Sequence, residues 1–157
     1  MYLPPSWTVG LALAATVALA ARRLRALSTG GALAAVVLGT IAVGAGWSWG
    51  VLLMSYFVAS TAVTRYRRED KQARLDGRVD KPGARDAEQV IANGGVFGAV
   101  AASYWAHPDV AWQALGAGAR AASAADTWAT EIGTLAKREA RSILGFHPVP
   151  TGTSGGV

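Results

Sequence analysis

Thirty-five consecutive residues, 30–64, carry no charged side chain. A single helix over them would be about 52 Å long at 1.5 Å per residue, against a hydrocarbon core of roughly 30 Å. One helix cannot hold such a stretch in a single crossing. The string Gly44-Ala45-Gly46-Trp47-Ser48-Trp49-Gly50 divides it near the middle. Glycines permit a turn there, and tryptophans favour a membrane–water interface. Two spans are predicted, about 32–44 and 49–64. The first is short, which suits a tilted or buried helix. Gly30, Gly31, Gly39, Gly44 and the many alanines allow close helix packing.

Charge is confined in a way that extends this reading. Of 15 Lys and Arg residues, all but Arg120 fall within 22–25, 65–85 and 137–141. Apolar runs separate these clusters. Pro4-Pro5 signals a helix start and Trp7 an interfacial anchor. The apolar run that follows precedes its positive charges, the reverse of a secretory signal. Spans at about 7–21, 90–105 and 111–136 complete a set of five. With the N-terminus outside, five crossings place every basic cluster in the cytoplasm, as the positive-inside rule requires. The expected fold is an all-α polytopic membrane helix bundle, one membrane domain over 1–157. It carries a cytoplasmic loop at 65–88 and a glycine-rich cytoplasmic tail at 148–157. The fifth span exceeds one straight crossing, so a tilt or a break near Gly116 and Gly118 is expected.

The net charge of +5 does not point to nucleic acid, because the positive charge sits in loops between apolar runs. The absence of cysteine excludes disulfides and thiolate chemistry. His107 and His147 alone argue against a zinc site.

The fifth span ends in Ala125-Asp126-Thr127-Trp128-Ala129-Thr130-Glu131-Ile132-Gly133. Carboxylates at membrane depth cost on the order of 3 kcal/mol on insertion scales and are rarely idle. On a helix, Asp126, Thr130 and Gly133 share one stripe, and Arg120, Ser123, Thr127 and Glu131 share its neighbour. Both stripes are expected to face one cavity. Two carboxylates among hydroxyls suit Mg²⁺, which takes one or two protein carboxylates together with phosphate oxygens. Arg120 and Glu131 lie about 16 Å apart along a straight helix, too far to neutralise one another.

Three further features lie on the same predicted side. The 65–88 segment mixes Lys and Arg with interleaved acids and reads either as a solvated topological anchor or as a phosphate-binding lid. Asn93-Gly94-Gly95 puts a polar side chain at the entrance of the fourth span. The tail Thr151-Gly152-Thr153-Ser154-Gly155-Gly156 can present successive backbone amides to an anion, though it lacks the lysine of a Walker A loop.

With these strings in hand, the chain resembles the phytyl-phosphate kinase and transmembrane-protein-19-like family of integral membrane proteins. Three blocks carry the resemblance: 125–133, 149–157, and the stretch from Leu75-Asp76 through Lys81, Gly83 and Arg85 to Gln89-Val90-Ile91-Ala92-Asn93-Gly94. Thr130 stands where serine is common, and Ser154 where asparagine is common. Family members continue beyond the position of Val157 into further membrane spans, so this chain is expected to be a truncated form. An Asp-bearing helix followed by a Gly-rich loop is also similar, more distantly, to dolichol kinases and CDP-lipid synthases.

The resemblance implies phosphoryl transfer from a nucleoside triphosphate, CTP preferred, to an isoprenyl monophosphate such as phytyl phosphate. It implies catalytic roles for Asp126, Glu131, Asn93, Lys81 and Arg85, with Mg²⁺ on Asp126 and Glu131. Substrate and nucleotide contacts fall to Asp76, Gln89, Gly94, Thr127, Thr130, Gly152, Thr153, Ser154 and Gly155. Such chemistry needs positioning and charge neutralisation more than a nucleophile. The expected partners are an isoprenyl phosphate lipid, the nucleotide and the bilayer. A second reading is a small cation- or proton-coupled transporter using Asp126 and Glu131. The topology predicts that Gly77→Cys in intact cells resists a membrane-impermeant thiol reagent and reacts after permeabilisation. Labelling from outside would invert the arrangement.

Overall fold

The computed structural model describes residues 7–75, 83–136, 140–142 and 145–149. Five long helices and one short one make up nearly all of it. They are α1 (Trp7–Arg23), α2 (Thr29–Ala45), α3 (Trp47–Arg65), α4 (Arg68–Leu75), α5 (Ala87–Ala106) and α6 (Val110–Gly133). Two-residue strands β1 (Ala140–Arg141) and β2 (Pro148–Val149) pair antiparallel, Ala140 opposite Val149. The expected all-helical bundle is what forms.

Local chemistry sets the boundaries. Gly46, at φ 143°, adopts a backbone that L side chains rarely take, and it alone separates α2 from α3. Its N–H still reaches the Ala42 and Val43 carbonyls. Ser28 caps α2 by accepting from the Gly31 N–H at 3.1 Å. Asp86 does the same for α5 through Gln89 at 2.9 Å, and Asp109 for α6 through Ala111 at 2.7 Å. Each cap satisfies a donor that a helix start leaves open.

Helix α2 packs against α1, α3 and α5, while α6 packs against α5 and α3. The contacts run through small residues. Ala18, Ala21, Leu27 and Ala32 form one buried cluster. Ala42, Ala45, Trp49, Phe97 and Ala101 form the other. Leu38 of α2 is a knob seated between Gly94 and Gly98 of α5. An added Cβ would lie 2.6 Å and 2.5 Å from its methyl carbons at those two positions. The exterior is the reverse: Leu11, Leu19, Leu33, Val37, Val51, Val58, Val96 and Leu115 are all exposed. Small residues inside and branched aliphatics outside invert the pattern of a water-soluble bundle and match helix association in lipid.

No described helix is long and apolar enough to cross a membrane. At 17 residues, α1 and α2 extend about 26 Å, short of a roughly 30 Å core. The 24 residues of α6 would reach farther but include Arg120, Asp126 and Glu131.

The structure narrows two expectations. Of the tilt or break expected near Gly116 and Gly118, the break does not occur, since α6 is continuous through both. Gly116 is a contact, since a Cβ there would lie 2.4 Å from the Trp49 ring, whereas Gly118 has nothing within 4 Å. The 65–88 segment is not all loop, because Arg68–Leu75 folds as α4.

The glycine pair separates packing from propensity. Gly116→Ala must displace the Trp49 indole and should lower the thermal unfolding midpoint in detergent. Gly118→Ala should be neutral or raise it, since alanine is favoured over glycine within a helix by roughly 0.8–1 kcal/mol. Equal midpoints for the two variants would show that Trp49 yields freely.

Candidate functional site

The helix order sorts side chains to two ends. At one end Trp7 meets Trp105 edge-on with centroids 4.9 Å apart, and Trp49 lies against Tyr104 at 5.2 Å. At the other lie the C-termini of α1, α3 and α6 and the N-termini of α2 and α5. Here the backbone of Arg85 is stitched into the α1–α2 connection. Arg85 N–H donates to the Ala26 carbonyl at 3.0 Å, and Ser28 N–H donates to the Arg85 carbonyl at 2.9 Å. Leu27 and Arg85 thereby form a parallel bridge. Arg65 reaches across to the Leu24 carbonyl at 2.6 Å.

Glu131 is anchored at this end. Its carboxylate accepts from Lys71 Nζ at 2.7 Å, with side-chain exposures of 22 % and 6 %. The ammonium also donates to the Val63 carbonyl at 2.6 Å. The 65–88 segment thus supplies a buried counter-ion through α4, and Glu131 does not lack a partner. Arg85 is half-buried, and its guanidinium donates to Thr64 Oγ1 at 3.2 Å. Burial lowers its pKa below the usual arginine value, while Tyr56 and Glu131 act in the opposite sense.

The two stripes of α6 do not share a cavity. Arg120 and Ser123 both donate to the Asn93 backbone carbonyl, Ser123 at 3.1 Å. Thr127 and Tyr56 hydroxyls lie 3.2 Å apart. That stripe faces α3 and α5. The Asp126–Thr130–Gly133 stripe is exposed, and Thr130 Oγ1 donates back to the Asp126 carbonyl at 3.0 Å. The reason is rotation: five residues at 100° each turn Asp126 and Glu131 about 140° apart on one straight helix. Arg120 then fixes the inward face by inserting between aromatic rings of α3 and α5.

Asn93 contributes differently from expectation. Its side-chain amide donates to the Gln89 carbonyl one turn back, at 3.0 Å, and its backbone carbonyl is what meets α6. Gly94 is buried beneath Leu38. Asp76, Lys81, Gly152, Thr153, Ser154 and Gly155 lie outside the described residues.

A cavity of about 280 Å³ runs through the bundle. Leu13, Val17, Leu38, Met54 and Phe57 represent its apolar walls, contributed by α1, α2 and α3. Its polar groups come from Arg85, Gln89, Asn93 and Arg120. Among the described residues no group of three or more His, Asp or Glu could hold a metal. Of the two α6 carboxylates, Glu131 is paired with Lys71 and Asp126 is the uncommitted one, which fits a Mg²⁺ ion held mainly by nucleotide phosphates. A shared Asp126–Glu131 chelate does not fit this geometry. Sequence reasoning missed Lys71 and Tyr56. A lysine within a charged segment carries no distinguishing signal, and a tyrosine in an apolar run reads as packing.

Small residues inside, branched aliphatics outside and an apolar cavity ending in polar groups are the pattern of helices associated in lipid. The chain belongs to the family described as Integral membrane protein DUF92, whose model matches residues 12–157. This agrees with the resemblance read from the sequence. Protein PGR of Arabidopsis thaliana is 30 % identical over 155 residues, covering 90 % of this chain and 54 % of that protein. An uncharacterized membrane protein of Methanocaldococcus jannaschii is 28 % identical, covering 95 % and 61 %. One from Synechocystis is 33 % identical, covering 77 % and 48 %. The chain therefore spans about half the length of these relatives. No solved structure matches it.

The ion pair is testable by a double-mutant cycle. Glu131→Gln leaves the Lys71 ammonium buried without its counter-charge and should destabilise by roughly 3–5 kcal/mol. Lys71→Met combined with Glu131→Gln should cost clearly less than the two single effects together. Additive losses in thermal unfolding would mean that the two groups act independently.

Proposed function

We propose that this protein belongs to a membrane kinase that transfers a phosphoryl group from a nucleoside triphosphate, CTP preferred, to an isoprenyl monophosphate such as phytyl phosphate. The observation that carries the reading is the cavity. Its apolar walls suit a branched hydrocarbon tail, and Arg85, Gln89 and Asn93 at its polar part suit a phosphate head. Each CH₂ moved out of water contributes roughly 0.8 kcal/mol, so long tails are favoured until the cavity is full.

The chemistry asks little of side chains as nucleophiles. The acceptor phosphate oxygen is already anionic; it attacks the terminal phosphorus, and the nucleoside diphosphate leaves with the former bridging oxygen. No general base is needed. Asp126 would hold Mg²⁺ together with the nucleotide phosphates, and the ion would supply charge neutralisation at the phosphate oxygens. Glu131, neutralised by Lys71, acts on Arg85 only through its charge and leaves Asp126 as the accessible carboxylate of α6. Arg85 offsets acceptor charge, and its backbone bridge to Leu27 fixes where that charge sits. The nucleotide approaches from the cytoplasm, where the basic clusters lie. Pairing of Glu131 with Lys71 removes the main motive for the transporter reading, which needs both carboxylates along an open path.

The test is phosphoryl transfer by purified protein in detergent with CTP, Mg²⁺ and phytyl phosphate. Asp126→Asn should lower turnover by roughly a hundredfold or more while the unfolding midpoint stays put. Dimethylallyl phosphate should be a much poorer acceptor than phytyl phosphate. Full activity in Asp126→Asn, or equal use of the two acceptors, would sink the assignment.

A further inference from the structure

Arg120 is the charged residue of this chain least easily explained by packing. It lies in the middle of α6 and is only 4 % exposed. Its guanidinium sits 4.6 Å from the centroids of both Tyr56 and Phe97, one ring from α3 and one from α5. One N–H reaches the Asn93 carbonyl, which Ser123 also uses. Nε is buried with no acceptor at all.

No carboxylate pairs with Arg120 among the described residues. On its own helix Asp126 is exposed and Glu131 is held by Lys71. Its neighbours on α3 and α5 are neutral. Two ring faces stabilise a guanidinium in part, yet they do not cancel its charge. A buried guanidinium with an unused Nε donor and no carboxylate partner among the described residues is suited to receive an anion.

The cavity says what carries that anion. Arg120 lines it together with Arg85, Gln89 and Asn93, while its remaining walls are overwhelmingly aliphatic and aromatic. A bare inorganic ion would leave those walls empty. A diacyl lipid would bring two tails to a space of about 280 Å³. Two arginines suit a phosphate better than a carboxylate, since a second charge and a third oxygen are then used.

We infer that Arg120 is an internal anchor for the head of a single-chain lipid phosphate, held with Arg85 while the tail fills the cavity between α1, α2 and α3. This deepens the kinase reading, on which the choice of lipid rests. It places the acceptor's head within the bundle on the inward stripe of α6, about 120° around that helix from the exposed Asp126. The two residues are six apart, about 9 Å along α6.

Binding to the purified chain without nucleotide tests this, with phytyl phosphate, phytol and inorganic phosphate as probes in calorimetry. The parent should bind phytyl phosphate at least about tenfold more tightly than phytol, and inorganic phosphate far more weakly than either. Arg120→Gln should lose most of the preference for phytyl phosphate, keeping only what Arg85 supplies, while its affinity for phytol stays at the parent value, which also shows that it folds. Arg120→Lys, with charge but no planar fork, should fall between. A parent that does not distinguish phytol from phytyl phosphate overturns the inference whether or not the variants fold. So does an Arg120→Gln protein with unchanged preference, or inorganic phosphate binding as tightly as the lipid. Turnover plays no part in this readout. A parent that shows the preference but transfers no phosphate supports the anchor and counts against the kinase reading. A parent that transfers phosphate without the preference does the opposite.

Discussion

Close approach between helices is the condition on which this structure rests. In lipid, apolar side chains gain little by leaving one hydrocarbon environment for another, so helices are held by dispersion between surfaces that fit. Here the fit comes from small residues. Leu38 can enter the face of α5 only because Gly94 and Gly98 carry no side chain, and Trp49 can reach α6 only because Gly116 carries none. These contacts set the distances at which α2, α3, α5 and α6 stand. Those distances in turn decide whether Arg120 meets both Tyr56 and Phe97. The polar groups of the cavity are thus positioned by the apolar ones.

The same packing divides the acidic groups of α6 between two jobs. Glu131 turns inward and joins α4 to the bundle through Lys71, so the charged segment after α3 is tied to the body of the protein. Asp126 turns outward and stays uncommitted. A single helix therefore provides both a structural carboxylate and one available to a ligand, separated by rotation alone. Arg85 works similarly at the level of the chain. Its backbone ties the α1–α2 connection to the start of α5, while its side chain lines the cavity.

Much of the helix layout was legible in the sequence because charge and glycine mark it. The uncharged run 30–64 breaks within Gly44-Ala45-Gly46-Trp47-Ser48-Trp49-Gly50 as expected, and the structure narrows the joint to Gly46. The stripes of α6 were legible too, since a period of 3.6 fixes which residues are neighbours. Which stripe faces inward was not, because periodicity carries no information about rotation. The side chain that settles it, Arg120, finds its rings 64 and 23 residues back along the chain, at Tyr56 and Phe97. Lys71 was hidden for a related reason, its partner lying 60 residues away. Gly116 read as a weak point because glycine disfavours helix, whereas contact with Trp49 makes it a point of attachment.

Gly46 carries one more consequence. A one-residue joint leaves little slack between the phase of α2 and that of α3, since helix begins again directly on either side of it. An added residue taken up into the first turn of α3 would turn the rest of that helix by about 100° against the fixed joint. Trp49 would leave Gly116, Tyr56 would leave Arg120 and Thr127, and Thr64 would leave Arg85, all in one movement. The joint acts as a key that clocks α3 against α2 and α6. Length at this position should therefore be among the least negotiable properties of the chain, even though the residue itself touches neither the cavity nor any charge.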